Sequence, residues 1–177
     1  QDTDPASLAT RSAAARQAGR YDEAIQLAQQ ALGRDSTHAG AVRVLVRALR
    51  DVGRYADAVD AAERYRRATN GATTVDVVLG DALRARGRVA EARAAYERAV
   101  RSPDSLTARL HLATLAFESG ARDEAMRAFD AFIDVYNSGR RRLSADELRA
   151  VAVACRYLGR DNPQLFKDAL KAYDEAV

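Results

Sequence analysis

The sequence predicts an all-α chain: a right-handed α-solenoid of antiparallel helix pairs, with about ten helices. The first observation is a repeated phrase. GRYDEAIQLAQQAL begins at Gly19, GRYADAVDAAERY at Gly53 and GRVAEARAAYERAV at Gly87, so successive glycines stand 34 positions apart. The second is composition, because the 177 residues are 47% hydrophobic, include only 3 prolines and show no alternation of β-branched residues. Both features favour repeated helices over strands.

The glycine series continues at Gly120 and Gly159. Each glycine follows one helical segment and precedes another, which predicts a residue past a helix end in the left-handed conformation. Five positions after each of the first four glycines stands an alanine, whose small side chain lets the preceding helix approach closely. The alanines are Ala24, Ala58, Ala92 and Ala125.

A single helix pair cannot cover its own apolar face, so stacked pairs are needed for stability. We therefore predict one solenoid over residues 1–177. Its repeats are expected at about 5–38, 39–72, 73–105 and 106–139, followed by a divergent helix pair at 144–177. In that last pair, Ser144 and Glu147 have the spacing of a capping box, and Asn162 with Pro163 is typical of a helix start.

The pattern resembles the tetratricopeptide repeat family, strongly over residues 5–137 and weakly over 144–177. Leucine stands at the family's first-helix leucine position in three units, Gly80 completes a Leu-Gly pair, and tyrosine follows two glycines at the family's aromatic position. The family tryptophan is absent and its terminal proline is missing or displaced. The leucines are Leu45, Leu79 and Leu112, the tyrosines are Tyr21 and Tyr55, and the tryptophan positions hold Leu8, Val42 and Asp76.

The resemblance implies a non-catalytic scaffold that binds a protein or peptide on the concave face lined by first helices. On that expectation the candidate partner-binding residues are Arg16, Arg43, Arg47, Arg50, Arg84, His111, Phe117, Arg149 and Arg156. One interpretation is a basic groove whose arginines bind the carboxylates of an acidic partner. The other is that these arginines are solvated and paired with acidic neighbours of this chain, for example Asp51, Asp81, Glu118 and Asp146.

Some members of the family bind chaperone tails through a clamp of lysines, asparagines and arginine on three first helices. Here one register of that clamp offers Ala9, Ala13 and Val44, and the next offers Arg43 and Arg47 followed by Val78, Thr107 and His111. Neither register fits, so chaperone-tail binding is not expected.

No catalytic, metal or cofactor motif is found. The two histidines, His38 and His111, have no ligand-spaced partners, and the single cysteine, Cys155, is predicted to be a buried, inert thiol. The net charge of +3 permits an acidic partner without requiring nucleic acid. Arg140–Arg142, the densest basic tract, is interpreted as a solvated loop.

Two alternatives remain open. The last helix ends without a polar cap, which suggests a self-associating solenoid that stacks head to tail into an oligomer or filament. The second alternative is that the chain is an accessory domain of a longer enzyme or transport protein. The opening residues QDTDPA would suit the start of a chain after removal of a secretory signal, which favours a periplasmic or extracellular location over a cytoplasmic one.

Overall fold

The computed structural model describes residues 4–101, 105–139, 142–160, 162 and 164–175. Within these ranges the chain forms ten α-helices, one short 3-10 helix and no strand, so the predicted all-α architecture of helix pairs is confirmed. The helices are α1 Pro5–Gln17, α2 Tyr21–Arg34, α3 Ala39–Asp51, α4 Tyr55–Ala68, α5 Asp76–Ala85, α6 Val89–Ala99, α7 Leu106–Glu118, α8 Arg122–Ser138, α9 Ala145–Leu158 and α10 Gln164–Glu175; the 3-10 helix is Thr73–Val75.

The chain divides into two compact units, residues 1–99 and 100–177. The first contains the helix pairs α1–α2, α3–α4 and α5–α6, and the second contains α7–α8 and α9–α10. Each pair falls inside one of the predicted repeats. That all five pairs form one continuous solenoid over 1–177 stays a prediction.

Four of the turn glycines adopt the predicted left-handed conformation, with φ of +75° at Gly19, +78° at Gly53, +76° at Gly87 and +87° at Gly120. At the first of them the Gly19 N–H donates to the Arg16 carbonyl at 3.0 Å, and the next N–H reaches back to the Ala15 carbonyl at 2.9 Å. These two bonds make up a Schellman motif, which satisfies carbonyls at the helix end. The same pair of bonds recurs at the other three glycines.

The prediction for Gly159 is wrong, because its φ is −62°, in the right-handed region. Its N–H donates to the Cys155 carbonyl at 2.7 Å, and the Asn162 N–H donates to the Leu158 carbonyl at 3.2 Å. Both bonds span four residues, as inside an α-helix. Gly159 therefore continues the right-handed winding of α9.

The alanines that follow the turn glycines lie at the contacts between helices. Ala24, Ala58, Ala92 and Ala125 are all 0% exposed, which confirms the expectation of close helix approach. At Gly80 the approach is closer still: a Cβ added there would lie 2.7 Å from Cδ1 of the buried Tyr96 ring. The Leu-Gly pair thus makes room for an aromatic ring of α6 against α5.

Helix starts also follow the sequence. In the capping box of α9 the Glu147 N–H donates to Ser144 Oγ at 3.4 Å, and the Ser144 N–H donates to Glu147 Oε2 at 2.9 Å. Asn162 Oδ1 accepts from the Gln164 N–H at 3.2 Å, as expected of a residue that caps α10. The expectations for Gln1, Pro163, Arg140 and Arg141 lie outside the described residues. Among the helices described, none has the length and apolar character that a membrane span requires.

Candidate partner-binding face

The first helices α1, α3 and α5 carry most of the predicted binding residues of the first unit. Arg16, Arg50 and Arg84 each stand three positions before a turn glycine, and each contributes the carbonyl that the glycine N–H bonds. Their guanidinium groups therefore belong to the last helical turn, where a positive charge complements the helix dipole. The arginine spacing thus has a structural cause in addition to any binding role.

Two of these arginines pair with an aspartate of the following first helix. Arg16 Nη2 lies 2.7 Å from Asp51 Oδ2, and Arg50 Nη1 lies 2.9 Å from Asp81 Oδ2. Arg50 also lies 3.7 Å from Asp51. All four side chains are partly buried, so these pairs are less screened by solvent than fully exposed ones. The interpretation that the arginines pair with acidic neighbours therefore applies to Arg16 and Arg50.

Asp81 also contacts α6, the second helix of the third pair. The Tyr96 hydroxyl donates to the remaining Asp81 oxygen, Oδ1, at 2.8 Å. Burial of the ring, together with the negative charge of Asp81, raises the pKa of Tyr96, so the phenol stays protonated and keeps donating. Asp81 is thereby held by a cation on one side and a hydroxyl on the other.

Arg43 and Arg47 differ from the paired arginines because both are exposed on α3. With Arg50 they share one stripe of that helix through i, i+4 and i+7 spacing. Arg43 has no ion pair or hydrogen bond from its side chain among the residues that the structure describes. Arg84 is half-buried near the end of α5.

In the second unit, Phe117 is part of an aromatic cluster. Its ring meets Tyr157 edge to face, with centroids 5.0 Å apart, and Tyr157 stacks on the buried Phe129 at 4.4 Å. The guanidinium groups of Arg122 and Arg160 lie 5.4 and 5.5 Å from the Phe117 centroid, within cation–π range. Phe117 therefore joins α7 to α9 and anchors two cations near the turns that end those helices.

The other predicted residues of this unit lie on α7 and α9. His111 is half-buried on α7, and Arg156 is exposed on α9. Arg149 Nη1 lies 3.0 Å from Asp146 Oδ1 one turn away, in an exposed pair of the kind that contributes about 0–1 kcal/mol. Asp146 is one of the acidic residues expected to pair with the arginines, and it pairs with Arg149.

One ionic cluster was not anticipated from the sequence. Asp76, at the first position of α5, is fully buried, and its Oδ1 lies 3.0 Å from Arg98 Nη2 and 3.4 Å from Arg66 Nε. These three residues connect α4, α5 and α6. The sequence feature that could have predicted this cluster is Asp76 itself, which stands where the family has a tryptophan. A carboxylate at such a buried position requires a cation nearby.

The chemistry of the remaining titratable groups is limited. Burial raises the pKa of the Cys155 thiol to about 11, which keeps it protonated and unreactive near neutral pH. Over the described ranges, no three His, Cys, Asp or Glu side chains are gathered closely enough to hold a metal ion.

Comparison with known families gives two matches, both to models described as tetratricopeptide repeat. One model matches residues 15–76 and the other residues 77–139, which together span more than two thirds of the chain. Among curated proteins, none matches this sequence.

Solved structures with a similar fold include three that span most of the chain or of their own length. A thermophilic tetratricopeptide repeat protein from Thermus thermophilus is 20% identical, with 97% of this chain and 89% of that chain covered and a TM-score of 0.68. MamA from Desulfovibrio magneticus RS-1 is 19% identical, with 79% and 80% covered and a TM-score of 0.64. The first repeat domain of Spaghetti, bound to an HSP90 peptide, is 19% identical, with 68% and 96% covered and a TM-score of 0.59.

Proposed function

Because the chain belongs to the tetratricopeptide repeat family, we propose that it is a non-catalytic scaffold that binds a protein or peptide partner. The proposed contact surface is the first-helix face of residues 4–99, on α1, α3 and α5. Helical repeats of this kind present extended surfaces formed by equivalent positions in successive units. The partner is proposed to be a segment with several carboxylates.

The observation that carries the proposal is the exposed arginine pair on α3. Arg43 and Arg47 lie beside Arg50 on one helical stripe. Among the residues that the structure describes, the Arg43 side chain forms no ion pair and no hydrogen bond. Planar guanidinium groups bind carboxylates through two parallel hydrogen bonds, which gives such a stripe a preference for Asp and Glu.

The paired residues have a supporting role in this proposal. Arg16 and Arg50 are already bound to Asp51 and Asp81, so they hold successive first helices in register. The first helices of this unit carry six arginines and three aspartates, and one of those aspartates, Asp76, is buried against arginines of second helices. The first helices of this unit therefore carry a net positive charge, which favours an acidic partner.

A structural neighbour supports the class of partner. The first repeat domain of Spaghetti is bound to the HSP90 peptide SRMEEVD, which contains two glutamates and one aspartate. The clamp residues expected for chaperone tails are absent from this chain, since Val44 and Val78 occupy positions that the clamp fills with asparagine. The proposal therefore concerns an acidic segment of another sequence.

A peptide array tests the proposal directly. The array carries peptides of one length with acidic, neutral or basic composition, and it is probed with the wild-type protein and with the Arg43→Glu, Arg47→Glu double variant. We expect acidic peptides to be selected and their binding to fall at least about tenfold in the double variant. Because both side chains are exposed on α3, the helical circular dichroism signal should be unchanged.

The matched control reverses two exposed arginines outside the first helices, Arg67→Glu and Arg101→Glu. It makes the same change in net charge, so it reports on non-specific attraction. Loss of binding in the control to the same extent as in the double variant would reject the arginine stripe as the site. Selection of neutral or basic peptides by the wild-type protein would reject the acidic partner.

A further inference from the structure

Two apolar side chains flank the arginine stripe on the first-helix face. Ala13 on α1 is the equivalent of Arg47 on α3, and Val77 on α5 is the equivalent of Arg43, since the residues of each pair stand 34 positions apart. Ala13 and Val77 are half-buried, and the two arginines are exposed. A partner on this face therefore has access to apolar surface on both sides of the two cations.

The three helices that carry these residues are neighbours in the first unit. α3 contacts both α1 and α5, and ion pairs of 2.7 and 2.9 Å join it to them. Because equivalent positions of stacked helix pairs lie side by side, a straight path from Ala13 to Val77 crosses α3 between Arg47 and Arg43. A segment that follows this path meets an apolar side chain, two cations and a second apolar side chain in turn.

The charges on this path restrict the carboxylates of a partner to the centre of its segment. The Arg43 side chain makes no ion pair with any residue described. With Arg47 one turn away, it provides two guanidinium groups that can bind carboxylate oxygens. On α5, Asp81 stands one turn after Val77, so a carboxylate of the partner at that end would face a like charge.

At the α1 end of the path, the adjacent arginine is already bonded. Arg16 stands three positions after Ala13, and its Nη2 lies 2.7 Å from Asp51 Oδ2. The α1 position equivalent to Arg43 is Ala9, which is buried and carries no charge. An apolar partner side chain therefore suits the α1 end as well as the α5 end.

The spacing of the helices determines the backbone conformation that fits the path. Packed helices lie about 8–10 Å apart, so the partner must direct one side chain to the face at intervals of that length. A polyproline II segment does so with every third residue, about 9.3 Å apart. A β-strand has side chains on one side about 6.6 Å apart, and an α-helix returns to one side after seven residues, about 10.5 Å. The polyproline II conformation is the one that matches.

We propose that the first-helix face binds a seven-residue segment in the polyproline II conformation, with an acidic residue at its centre and apolar residues three positions before and after it. The central carboxylate accepts hydrogen bonds from Arg43 and Arg47, and the two apolar residues pack on Ala13 and Val77. This inference rests on the proposed function, because it uses the same arginine stripe. It adds the order and the spacing of the partner's residues.

Three peptides of one composition test the order and the spacing. The first, Val-Pro-Gln-Glu-Glu-Pro-Val, has the proposed arrangement. The second, Glu-Pro-Gln-Val-Val-Pro-Glu, has its acidic residues at the ends, and the third, Pro-Val-Glu-Glu-Gln-Val-Pro, has its valines only two positions from the centre. Non-specific attraction is equal for all three because their net charge is the same. Fluorescence anisotropy with the whole chain should give an affinity at least about fivefold higher for the first peptide, since only its valines reach both apolar residues.

Double-mutant cycles locate the two ends of the peptide. Val77→Thr and Ala13→Ser each place a hydroxyl on the apolar surface, and each is combined with peptides in which the first or the last valine is replaced by serine. We expect each protein variant to lower the affinity about threefold. Each should be coupled to a different terminal valine, so that the combined change costs no more than the single ones.

Val89→Thr is the matched control for the cycles, because it makes the same change at an exposed valine of α6, outside the first helices. It should bind the first peptide as the wild type does. Circular dichroism identifies a variant that has unfolded, and the cycle of the other variant then provides the test.

The outcomes separate this inference from the proposed function. Equal affinity for the three peptides would overturn the order and spacing but would leave the acidic partner in place. Coupling of both protein variants to one valine, or of a folded variant to neither, would also overturn them. If the wild-type protein binds none of the three peptides and none of the acidic peptides of the array, the proposed function fails and this inference fails with it. If only the array peptides bind, this inference alone is wrong.

Discussion

Arg50 and Asp81 form an ion pair between successive first helices, with Nη1 2.9 Å from Oδ2. The second carboxylate oxygen of Asp81 accepts from the Tyr96 hydroxyl at 2.8 Å. The Asp81 side chain on α5 thus contacts both α3, through Arg50, and α6, through Tyr96. Because Asp81 is only 17% exposed, loss of the carboxylate removes one acceptor from the partly buried Arg50 and one from the fully buried Tyr96.

We therefore expect Asp81→Ala to lower the free energy of unfolding by about 1–3 kcal/mol. Asp57→Ala is the matched control, since Asp57 also pairs with an arginine, at 2.6 Å from Arg54 Nη2, but with both side chains about half exposed. The control should cost less than about 1 kcal/mol. Urea unfolding followed by circular dichroism measures both values, and equal losses in the two variants would contradict the bridging role of Asp81.

Gly19 and Gly33 allow the cost of a left-handed backbone to be measured without a steric clash, because both have open space where a side chain would be added. Neither Gly19 nor Gly33 has any atom within 4 Å of an added Cβ, but Gly19 has φ of +75° and Gly33 lies inside α2. Gly19→Ala should therefore destabilise the chain by about 1 kcal/mol through the left-handed turn. Gly33→Ala should stabilise it by about 0.5–1 kcal/mol, because alanine is the better helix former.

The measurement for this pair is the thermal midpoint of each variant relative to the wild type. Opposite signs are expected, with the midpoint lower for Gly19→Ala and higher for Gly33→Ala. If the Gly19→Ala midpoint is unchanged, the left-handed turn is not a constraint on stability.

The single thiol offers a local probe of the second unit. Cys155 is 1% exposed, and burial raises its pKa to about 11 from the usual 9.0, with a smaller contribution from the charge of Asp168. Ellman's reagent at pH 8 should therefore react with the folded chain many times more slowly than with the chain in guanidinium chloride, because only the exposed thiolate reacts. Fast labelling of the folded chain would show that α9 opens readily.

The same pKa determines the sign of a pH effect. Since the folded-state pKa is raised, the contribution of the thiol to stability is fully present below about pH 9 and is lost as the pH rises towards 11. Cys155→Ala should remove this part of the alkaline loss, and the pH dependence of the free energy of unfolding in the two proteins measures it.

Features that depend on one residue and its neighbours could be predicted from the sequence. The left-handed turns at Gly19 and Gly87 follow from the conformational freedom of glycine, and the cap of α9 follows from the spacing of Ser144 and Glu147. Gly159 marks the limit of this reasoning. The glycine is compatible with a left-handed turn, but the hydrogen bonds around it continue a right-handed helical winding.

Features that depend on how repeats stack could be predicted only in part. Asp51 and Asp81 were recognisable as candidate partners, but whether an arginine pairs or stays exposed depends on the distance between side chains about 30 positions apart in sequence. Arg50 reaches Asp81 across 31 positions, and Arg43, on the same helical stripe, makes no such pair with any residue described. The burial of Asp76 and its pairing with two arginines were not predicted. From the sequence, an aspartate at the tryptophan position indicates only a difference from the family pattern.

The buried carboxylate of Asp76 makes the third helix pair specific to its place in the chain. Its cations come from two sides: Arg66 is supplied by the pair before it and Arg98 by its own second helix. Moving or duplicating this pair beside a neighbour without the arginine would leave the negative charge in the interior with less compensation, and breaking such a buried pair costs about 3–5 kcal/mol. The third helix pair is therefore not interchangeable with the others, because its buried carboxylate requires an arginine from the pair before it.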